Sequence, residues 1–93
     1  MKASEITPEN ASDFLKLDDV PENMEMYIKG AKAYVCSYTS LKEQEFDEYE
    51  DITLAILVLI QDMHDNRAMY VDKSNVNKVV ESILDMHRRN LVV

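Results

Sequence analysis

The sequence predicts an all-α fold, a compact domain of about four helices with a long, largely apolar central helix. Only one glycine and two prolines occur in 93 residues, so few positions force a helix to end. Apolar residues recur at helical spacing along most of the chain, and no segment shows the alternation typical of a strand. We expect a single domain over residues 1–93, with flexible ends at about 1–6 and 90–93.

The first two helices are predicted from start signals that contain proline. Thr7 can cap a helix whose first residue is Pro8, and the short apolar face that follows should end near Leu17. A second signal, Asp19–Glu22, opens a longer helix, because proline and acidic residues are both favoured in a first turn. One face of this helix carries residues three or four positions apart: Met24, Ile28, Ala31, Val35 and Tyr38.

The third helix is predicted to follow an acidic segment, residues 42–51, at whose start the second helix ends. Asp47 and Glu50 have the spacing of a capping box, in which two side chains satisfy the first amides of a helix. We therefore expect a helix from Glu48 to about Asn66.

This third helix is apolar on almost every side, since Thr53 is the only polar residue in 52–60. Its periodic core face consists of Ile52, Ala55, Ile56, Leu59 and Met63. The opposite flank consists of Leu54, Leu57, Val58 and Ile60. A small domain supplies only about three neighbours to a central helix, so either the first and fourth helices or another subunit should cover this flank.

A fourth helix is predicted after a polar connection, with Ser74 as its cap. Its buried side should comprise Val76, Val79, Val80, Ile83, Leu84 and His87. Arg88 and Arg89 suit the negative end of its dipole.

Charge and hydropathy limit the partners of this chain. A formal net charge of −8 argues against nucleic-acid recognition by a basic face, although an acidic protein can still enclose DNA loosely. The largely apolar run of nine residues, 52–60, is shorter than the ~20 residues that cross a bilayer. The first residues lack a signal-peptide pattern, and the single cysteine, Cys36, fits a reducing compartment. We expect a soluble intracellular protein with no membrane partner.

The acidic segment offers one arrangement that could bind a metal. Carboxylates three residues apart on a helix can share Mg²⁺, as pairs of them do in all-helical nucleotide pyrophosphohydrolases, and Glu45, Glu48 and Asp51 have this spacing. An opposing acidic pair would be needed, and Glu81 with Asp85 is the candidate. Because the chain has 18 acidic residues, we interpret the segment as solvated and cap-forming.

Other catalytic patterns are missing from the sequence. His64 and His87 have no second His or Cys four residues away, and Cys36 has no glycine-rich turn for an oxyanion hole. Gly30 is the only glycine, which excludes a glycine-rich phosphate loop. We predict no catalytic residue, no metal ligand and no cofactor, and hence a protein that is not an enzyme.

Three segments form a distinctive series: AKAYVCSYTS at 31–40, DITLAILVLIQDMHDNR at 51–67 and ILDMHRR at 83–89. The series resembles the small head-tail connector proteins of tailed bacteriophages and prophages, also called adaptor or DNA-packaging proteins. That family typically closes its second helix with Tyr-Thr, matched here by Tyr38-Thr39, and usually places glycine next, where this chain has Ser40.

The later segments match two more features of the family, an aliphatic helix that ends in an Asn-Arg pair and an aliphatic pair before a terminal Arg. The matching residues are Ala55, Ile56, Leu59, Asn66 and Arg67 for the first, and Ile83, Leu84 and Arg88 for the second. The resemblance extends from about Ile6 to Arg89.

The resemblance implies a ring of roughly a dozen subunits that docks beneath the portal protein at the capsid vertex and receives the tail through a tail-completion protein. Double-stranded DNA would pass through the ring without sequence-specific binding. The protein would be a virion component of the capsid-tail junction, assembled in the cytoplasm of the bacterial host.

The same resemblance implies two sets of contact residues. The candidate subunit interface comprises Leu54, Leu57, Val58, Asn66 and Arg67, and the candidate portal-docking arm comprises Arg88, Arg89, Leu91, Val92 and Val93. If this division is right, replacing Leu57 or Val58 by Asp should spare folding. Two other functions stay open: a small acidic helical interaction or regulatory module, and a Mg²⁺-dependent nucleotide pyrophosphohydrolase.

Overall fold

The computed structural model describes residues 2–65 and 78–87. Within these residues the protein consists of α-helices and short 3₁₀ segments and has no strand, which confirms the predicted all-α class. The helices are α1 (Pro8–Phe14), α2 (Met24–Thr39), α3 (Glu50–Asp65) and α4 (Lys78–His87), and the 3₁₀ segments are Ala3–Glu5 and Glu43–Glu48.

Local hydrogen bonds fix both ends of α1. At its start the Thr7 hydroxyl accepts from the Asn10 amide (3.2 Å), and the Asn10 side-chain oxygen accepts from the Thr7 amide (2.8 Å). The helix ends at Phe14 because Lys16 enters the left-handed region, with φ 59°. The amides of Lys16 and Leu17 then donate back to the last turn in a Schellman motif, so the predicted end at Leu17 is three residues late.

The end of α2 coincides with the Tyr-Thr pair noted in the sequence. The buried Thr39 hydroxyl donates to the Val35 carbonyl (2.7 Å) and accepts from the Leu41 amide (3.2 Å). Ser40 follows with φ 63° and ψ 14°, in the left-handed region that glycine occupies without strain. The residue at which the connector family usually has glycine therefore has the backbone conformation that favours glycine.

The start of α3 differs from the prediction. Residues Glu43–Glu48 form a separate 3₁₀ segment, and α3 begins at Glu50. The predicted capping box of Asp47 and Glu50 is wrong, because Asp47 lies inside the 3₁₀ segment and binds a distant partner. Its carboxylate accepts hydrogen bonds from the Ser4 amide (2.9 Å) and the Ser4 hydroxyl (2.7 Å).

Residues 2–6, which belong to the segment predicted to be flexible, pack against the domain. Ala3 and Ile6 are only 1% and 6% exposed. The 3₁₀ segment Ala3–Glu5 contacts both the Glu43–Glu48 segment and α3. Residues 90–93, the other predicted flexible end, lie outside the described part of the chain.

Of the described helices, the other three, α1, α2 and α4, pack around α3. Tyr27 near the start of α2 meets His64 near the end of α3, with ring centroids 6.2 Å apart, so α2 and α3 are antiparallel. His87 at the end of α4 meets Asp51 at the start of α3, so α3 and α4 are also antiparallel. The predicted core face of α3 is buried as expected: Ile52, Ala55, Ile56, Leu59 and Met63.

The buried side of α4 is partly as predicted. Val80, Ile83 and Leu84 are buried. Val79 is 60% exposed, so its predicted burial is wrong. Val79 lies about 100° around the helix from Val80, and α2 and α3 cover only one side of α4. The predictions for Ser74 and Val76 fall outside the described residues.

Candidate functional site

The flank of α3 that the sequence left uncovered is partly buried within the chain. Leu57 and Ile60 are 5% and 0% exposed, so Leu57 belongs to the chain's own core and is not accessible to a neighbouring subunit in this conformation. Leu54 is 44% exposed and Val58 is half-buried. The aliphatic surface of α3 is thus reduced to Leu54 and Val58, which lie four residues apart on one strip of the helix.

The other predicted contact residues fall outside the described part of the chain. These are Asn66 and Arg67 of the candidate subunit interface, and the portal-docking arm of Arg88, Arg89, Leu91, Val92 and Val93. Their assignments remain predictions.

The outer face of α4 carries two further exposed apolar side chains that the sequence did not assign to a contact. Val79 and Met86 are 60% and 71% exposed, and they lie seven residues apart on the same face. The seven-residue spacing of Val79 and Met86 is the sequence signal for this face. It was missed because the adjacent Val79 and Val80 are equally suited to a core, and both were predicted to be buried.

Two side-chain contacts join α4 to α2 and to α3. The Tyr38 hydroxyl of α2 donates to Asp85 of α4, so α2 lies on the flank of α4 that carries Asp85. Met86 lies about 100° further around the helix than Asp85, and α4 also contacts α3. His87 is joined to Asp51 of α3. We refer to Leu54, Val58, Val79 and Met86 together as the apolar patch.

The contact between His87 and Asp51 fixes the α4 end of this patch. His87 Nε2 lies 2.8 Å from both carboxylate oxygens of Asp51, and the imidazole ring packs on Tyr49 with centroids 4.5 Å apart. Because an ionised carboxylate only accepts hydrogen bonds, Nε2 carries the hydrogen. His87, which was predicted to lie on the buried side of α4, is partly buried, with its side chain 16% exposed.

A groove on α2 forms the second surface of interest. Its cavity of about 500 Å³ lies between the start of α1 and α2, and its apolar lining includes Ile6, Pro8, Ile28, Ala33 and Cys36. We refer to this cavity as the α2 groove. Burial raises the pKa of the Cys36 thiol, and the charge of Glu43 raises it further, so the thiol is the stable form near neutral pH.

Two lysines and two glutamates border the α2 groove, and they form two pairs. Lys32 Nζ lies 3.5 Å from Glu43, and its side chain is only 15% exposed. Lys29 Nζ lies 3.7 Å from Glu25, and both of those side chains are more than two-thirds exposed, at 77% and 69%. The pair of Lys29 and Glu25 is exposed to solvent, so it contributes little to stability.

The surface of α3 has the opposite charge. The helix carries Glu50, Asp51, Asp62 and Asp65 and no lysine or arginine. Asp62 and Asp65 lie on the strip that begins with Leu54 and Val58, four and seven residues after Val58. Burial raises the pKa of Asp62, and the nearby charge of Asp65 raises it further, as expected for two crowded carboxylates.

The acidic segment does not assemble the metal site that its spacing suggested. Glu45 and Glu48 belong to the 3₁₀ segment and Asp51 belongs to α3, so the three are not on one α-helix. Asp51 binds His87, and Asp85 accepts from Tyr38. Among the described residues, no three His, Cys, Asp or Glu side chains are arranged to hold a metal ion.

A smaller cavity of about 280 Å³ lies where the N-terminus meets the start of α3, and Lys2, Glu5, Asp47, Glu50 and Thr53 line it. Two of its three acidic groups accept hydrogen bonds, Glu5 from the Lys2 amide at 2.7 Å and Asp47 from Ser4. The Thr53 hydroxyl is buried and has no hydrogen-bond partner among the described residues.

None of the described helices is long and apolar enough to cross a bilayer. Comparison of the chain with protein-family models, with curated proteins and with solved structures finds no match.

Proposed function

We propose that this chain is the head-tail connector subunit of a tailed bacteriophage or prophage. Copies of it would form a ring under the portal protein, extend the channel for double-stranded DNA and receive the tail-completion protein. The ring would be part of the virion at the capsid-tail junction, assembled in the cytoplasm of the bacterial host. Its role would be assembly rather than catalysis.

The observation that carries the proposal is the aliphatic surface of α3. This helix bears the longest segment of the family resemblance, and it keeps Leu54 44% exposed beside the half-buried Val58. A soluble protein gains nothing in stability from such a strip, whereas a subunit of an assembly buries it against a neighbour.

The end of α2 also supports the proposal. The Tyr-Thr pair of the resemblance occupies the last two residues of α2, where Tyr38 bonds to α4 and Thr39 ends the helix. The left-handed conformation of Ser40 agrees with the glycine that the family usually has there.

The test measures the mass of the protein in solution by sedimentation equilibrium over a concentration series, alone and with a panel of purified portal rings. We expect the chain to bind at least one portal ring in multiple copies. Leu54→Asp should weaken this assembly. The matched control is Val20→Asp, because Val20 is 45% exposed, close to the 44% of Leu54, and lies outside α3.

Failure to bind any portal ring would contradict the connector proposal. Binding to a single unrelated protein as a monomer or dimer would instead favour the interaction or regulatory module. Mg²⁺-dependent nucleotide turnover that is lost in Glu48→Ala would favour the pyrophosphohydrolase.

A further inference from the structure

We propose that residues 88–93, which contain the portal-docking arm, fold back onto the subunit that carries them. In this contact Arg88 and Arg89 pair with Glu48 and Glu50, and the aliphatic end of the segment lies on the α2 groove. The contact itself needs no partner. Its release when a portal ring binds rests on the proposed connector function.

The chain leaves α4 beside two exposed carboxylates. The helix ends at His87, whose ring packs on Tyr49 with centroids 4.5 Å apart. Glu48 and Glu50 flank Tyr49 in the sequence, and both are exposed. Among the described residues, neither carboxylate has a hydrogen-bond or ion-pair partner. The next two residues after His87 are both arginines, so two cations follow at the point where two carboxylates lack a partner.

The other acidic side chains of this region already have partners. Glu43 pairs with Lys32, Glu45 accepts from the Lys42 amide, Asp47 accepts from Ser4 and Asp51 binds His87. Lys2 lines the smaller cavity together with Glu50 but makes no ion pair with it. The negative charge left without a partner in this described region is therefore that of Glu48 and Glu50.

The length of the segment matches the distance from the end of α4 to the α2 groove. The 3₁₀ segment Glu43–Glu48 leads from Tyr49 back to Glu43, which borders the groove. Six residues of 3₁₀ helix span ~12 Å at about 2.0 Å per residue. Six extended residues, 88–93, reach ~20 Å. The first four residues after His87 can therefore pass the 3₁₀ segment, and the remaining residues arrive at the groove.

The α2 groove suits an uncharged occupant. Each lysine on its rim pairs with a glutamate, so the rim is electrically balanced, and much of the lining between is apolar. The segment ends in Leu91, Val92 and Val93. Burial of these side chains removes apolar surface of the segment and of the groove from water. The order of basic and then aliphatic residues in the segment thus matches the order of acidic and then apolar surface along its path.

The contact would be autoinhibitory. The same aliphatic residues cannot lie on the α2 groove and on a portal protein at one time, so the two contacts compete. In the free subunit the groove would cover the aliphatic end of the arm, which would otherwise be an exposed apolar segment. Exposed ion pairs are weak, so a portal ring that binds the arm can displace this contact.

The native Cys36 lies in the groove, so one substitution supplies the test. In Val92→Cys, a short bismaleimide should join the two thiols of one chain, because each thiol adds across one maleimide double bond with no oxidant and no leaving group. The product should run as a monomer on a denaturing gel, and mass spectrometry should find residues 36 and 92 linked. Val20→Cys is the matched control, since its thiol would be exposed before the start of α2, and it should give no internal link.

A second set of variants tests the charged part of the contact. Glu48→Gln with Glu50→Gln in the Val92→Cys chain should lower the yield of the internal link roughly threefold to tenfold, and added salt should do the same. Asp18→Asn with Asp19→Asn removes two exposed acids elsewhere and should leave the yield unchanged. Reversal of all four charges, with Arg at 48 and 50 and Glu at 88 and 89, should restore the link.

An internal link no more frequent than in Val20→Cys would overturn the contact, and so would a yield that is indifferent to Glu48 and Glu50. Links between chains, seen as dimers on the gel, would overturn it as well. On a portal ring that binds the chain, we expect the yield to fall. An unchanged yield on a bound ring would overturn the release and leave the connector function standing. An internal link in a chain that binds no portal ring would support the contact and remove the connector assignment.

Discussion

The Tyr38 hydroxyl donates a hydrogen bond of 2.5 Å to a carboxylate oxygen of Asp85 and thereby joins the ends of α2 and α4. This hydrogen bond is the largest cause of a raised pKa of Tyr38, and burial and the charges of Asp85 and Glu81 add to it. Together they raise the pKa from 10.0 to about 12. The contact therefore depends on the phenol keeping its proton.

The first prediction concerns stability in alkali. Because the pKa of Tyr38 is higher in the folded state, its contribution is complete below pH 10 and is lost as the pH rises from 10 to about 12. Tyr38→Phe should therefore be less stable than the wild type at neutral pH, and the difference should shrink through this window. Urea unfolding at a series of pH values measures both. A difference that stays constant up to the alkaline end would contradict the role of this hydrogen bond.

The second prediction concerns acid. The hydrogen bonds from the Ser4 hydroxyl and amide lower the pKa of Asp47 from 3.8. A lowered pKa stabilises the fold above pH 3.8, and this stabilisation is lost as the pH falls through the folded-state value. Asp47→Asn should thus be destabilised at neutral pH and approach the wild type in acid, as measured by urea unfolding.

Glu48→Gln supplies the matched control for Asp47→Asn, since Glu48 is an exposed acid in the same 3₁₀ segment. We expect it to change the free energy of unfolding by no more than a few tenths of a kcal/mol. Equal effects of the two substitutions would show that the contact with Ser4 is not the cause.

The third prediction concerns the left-handed residue after α2. Ser40→Gly should stabilise the fold by about 0.5 to 1 kcal/mol, because it removes the side-chain clash of a left-handed residue. Ser37→Gly is the control within the same helix, where an exposed interior glycine should cost about 0.5 kcal/mol. Chemical denaturation measures both. Destabilisation by Ser40→Gly would contradict the left-handed conformation.

The fourth prediction separates the two flanks of α3. Leu57→Asp should destabilise the fold by about 3 kcal/mol or more, since it places a carboxylate in the core. Leu54→Asp should cost less than about 1 kcal/mol, because Leu54 is partly solvated. Thermal unfolding of both variants tests this order, and a stable Leu57→Asp variant would return Leu57 to the candidate interface.

The sequence was sufficient for those features that depend on one helix alone. The core face of α3 and the cap at Thr7 follow from spacing within a few residues, and the structure confirms both. Asp47 was misassigned because its partner, Ser4, lies 43 residues away, where no local pattern can identify it. Leu57 and Val79 were misassigned because their burial depends on which helices pack beside them, and that choice is made by the tertiary fold.

The candidate surfaces were only partly predictable for the same reason. Leu54 and Val58 could be chosen from the excess of aliphatic residues in α3. The apolar patch also includes Val79 and Met86, whose exposure depends on how α4 packs against α2 and α3. Ile6 and Pro8 line the α2 groove together with residues of α2. Periodicity within α2 cannot predict which distant residues pack beside it.

The fifth prediction uses the buried Thr53 hydroxyl. Since this group has no hydrogen-bond partner within the described ranges, Thr53→Val should stabilise the fold by about 1 kcal/mol with almost no change of shape. Urea unfolding tests this, and destabilisation would mean that the hydroxyl is satisfied by bound water.

The uncompensated hydroxyl of Thr53 also has a practical consequence. A chain whose core retains such a defect has a simple route to greater thermal tolerance at a position buried within that core. Substitutions of surface residues can then be compared in a Thr53→Val background, in which a weakened assembly is distinguished from a partly unfolded subunit. The same substitution would let the protein tolerate further, mildly destabilising changes on its outer surface.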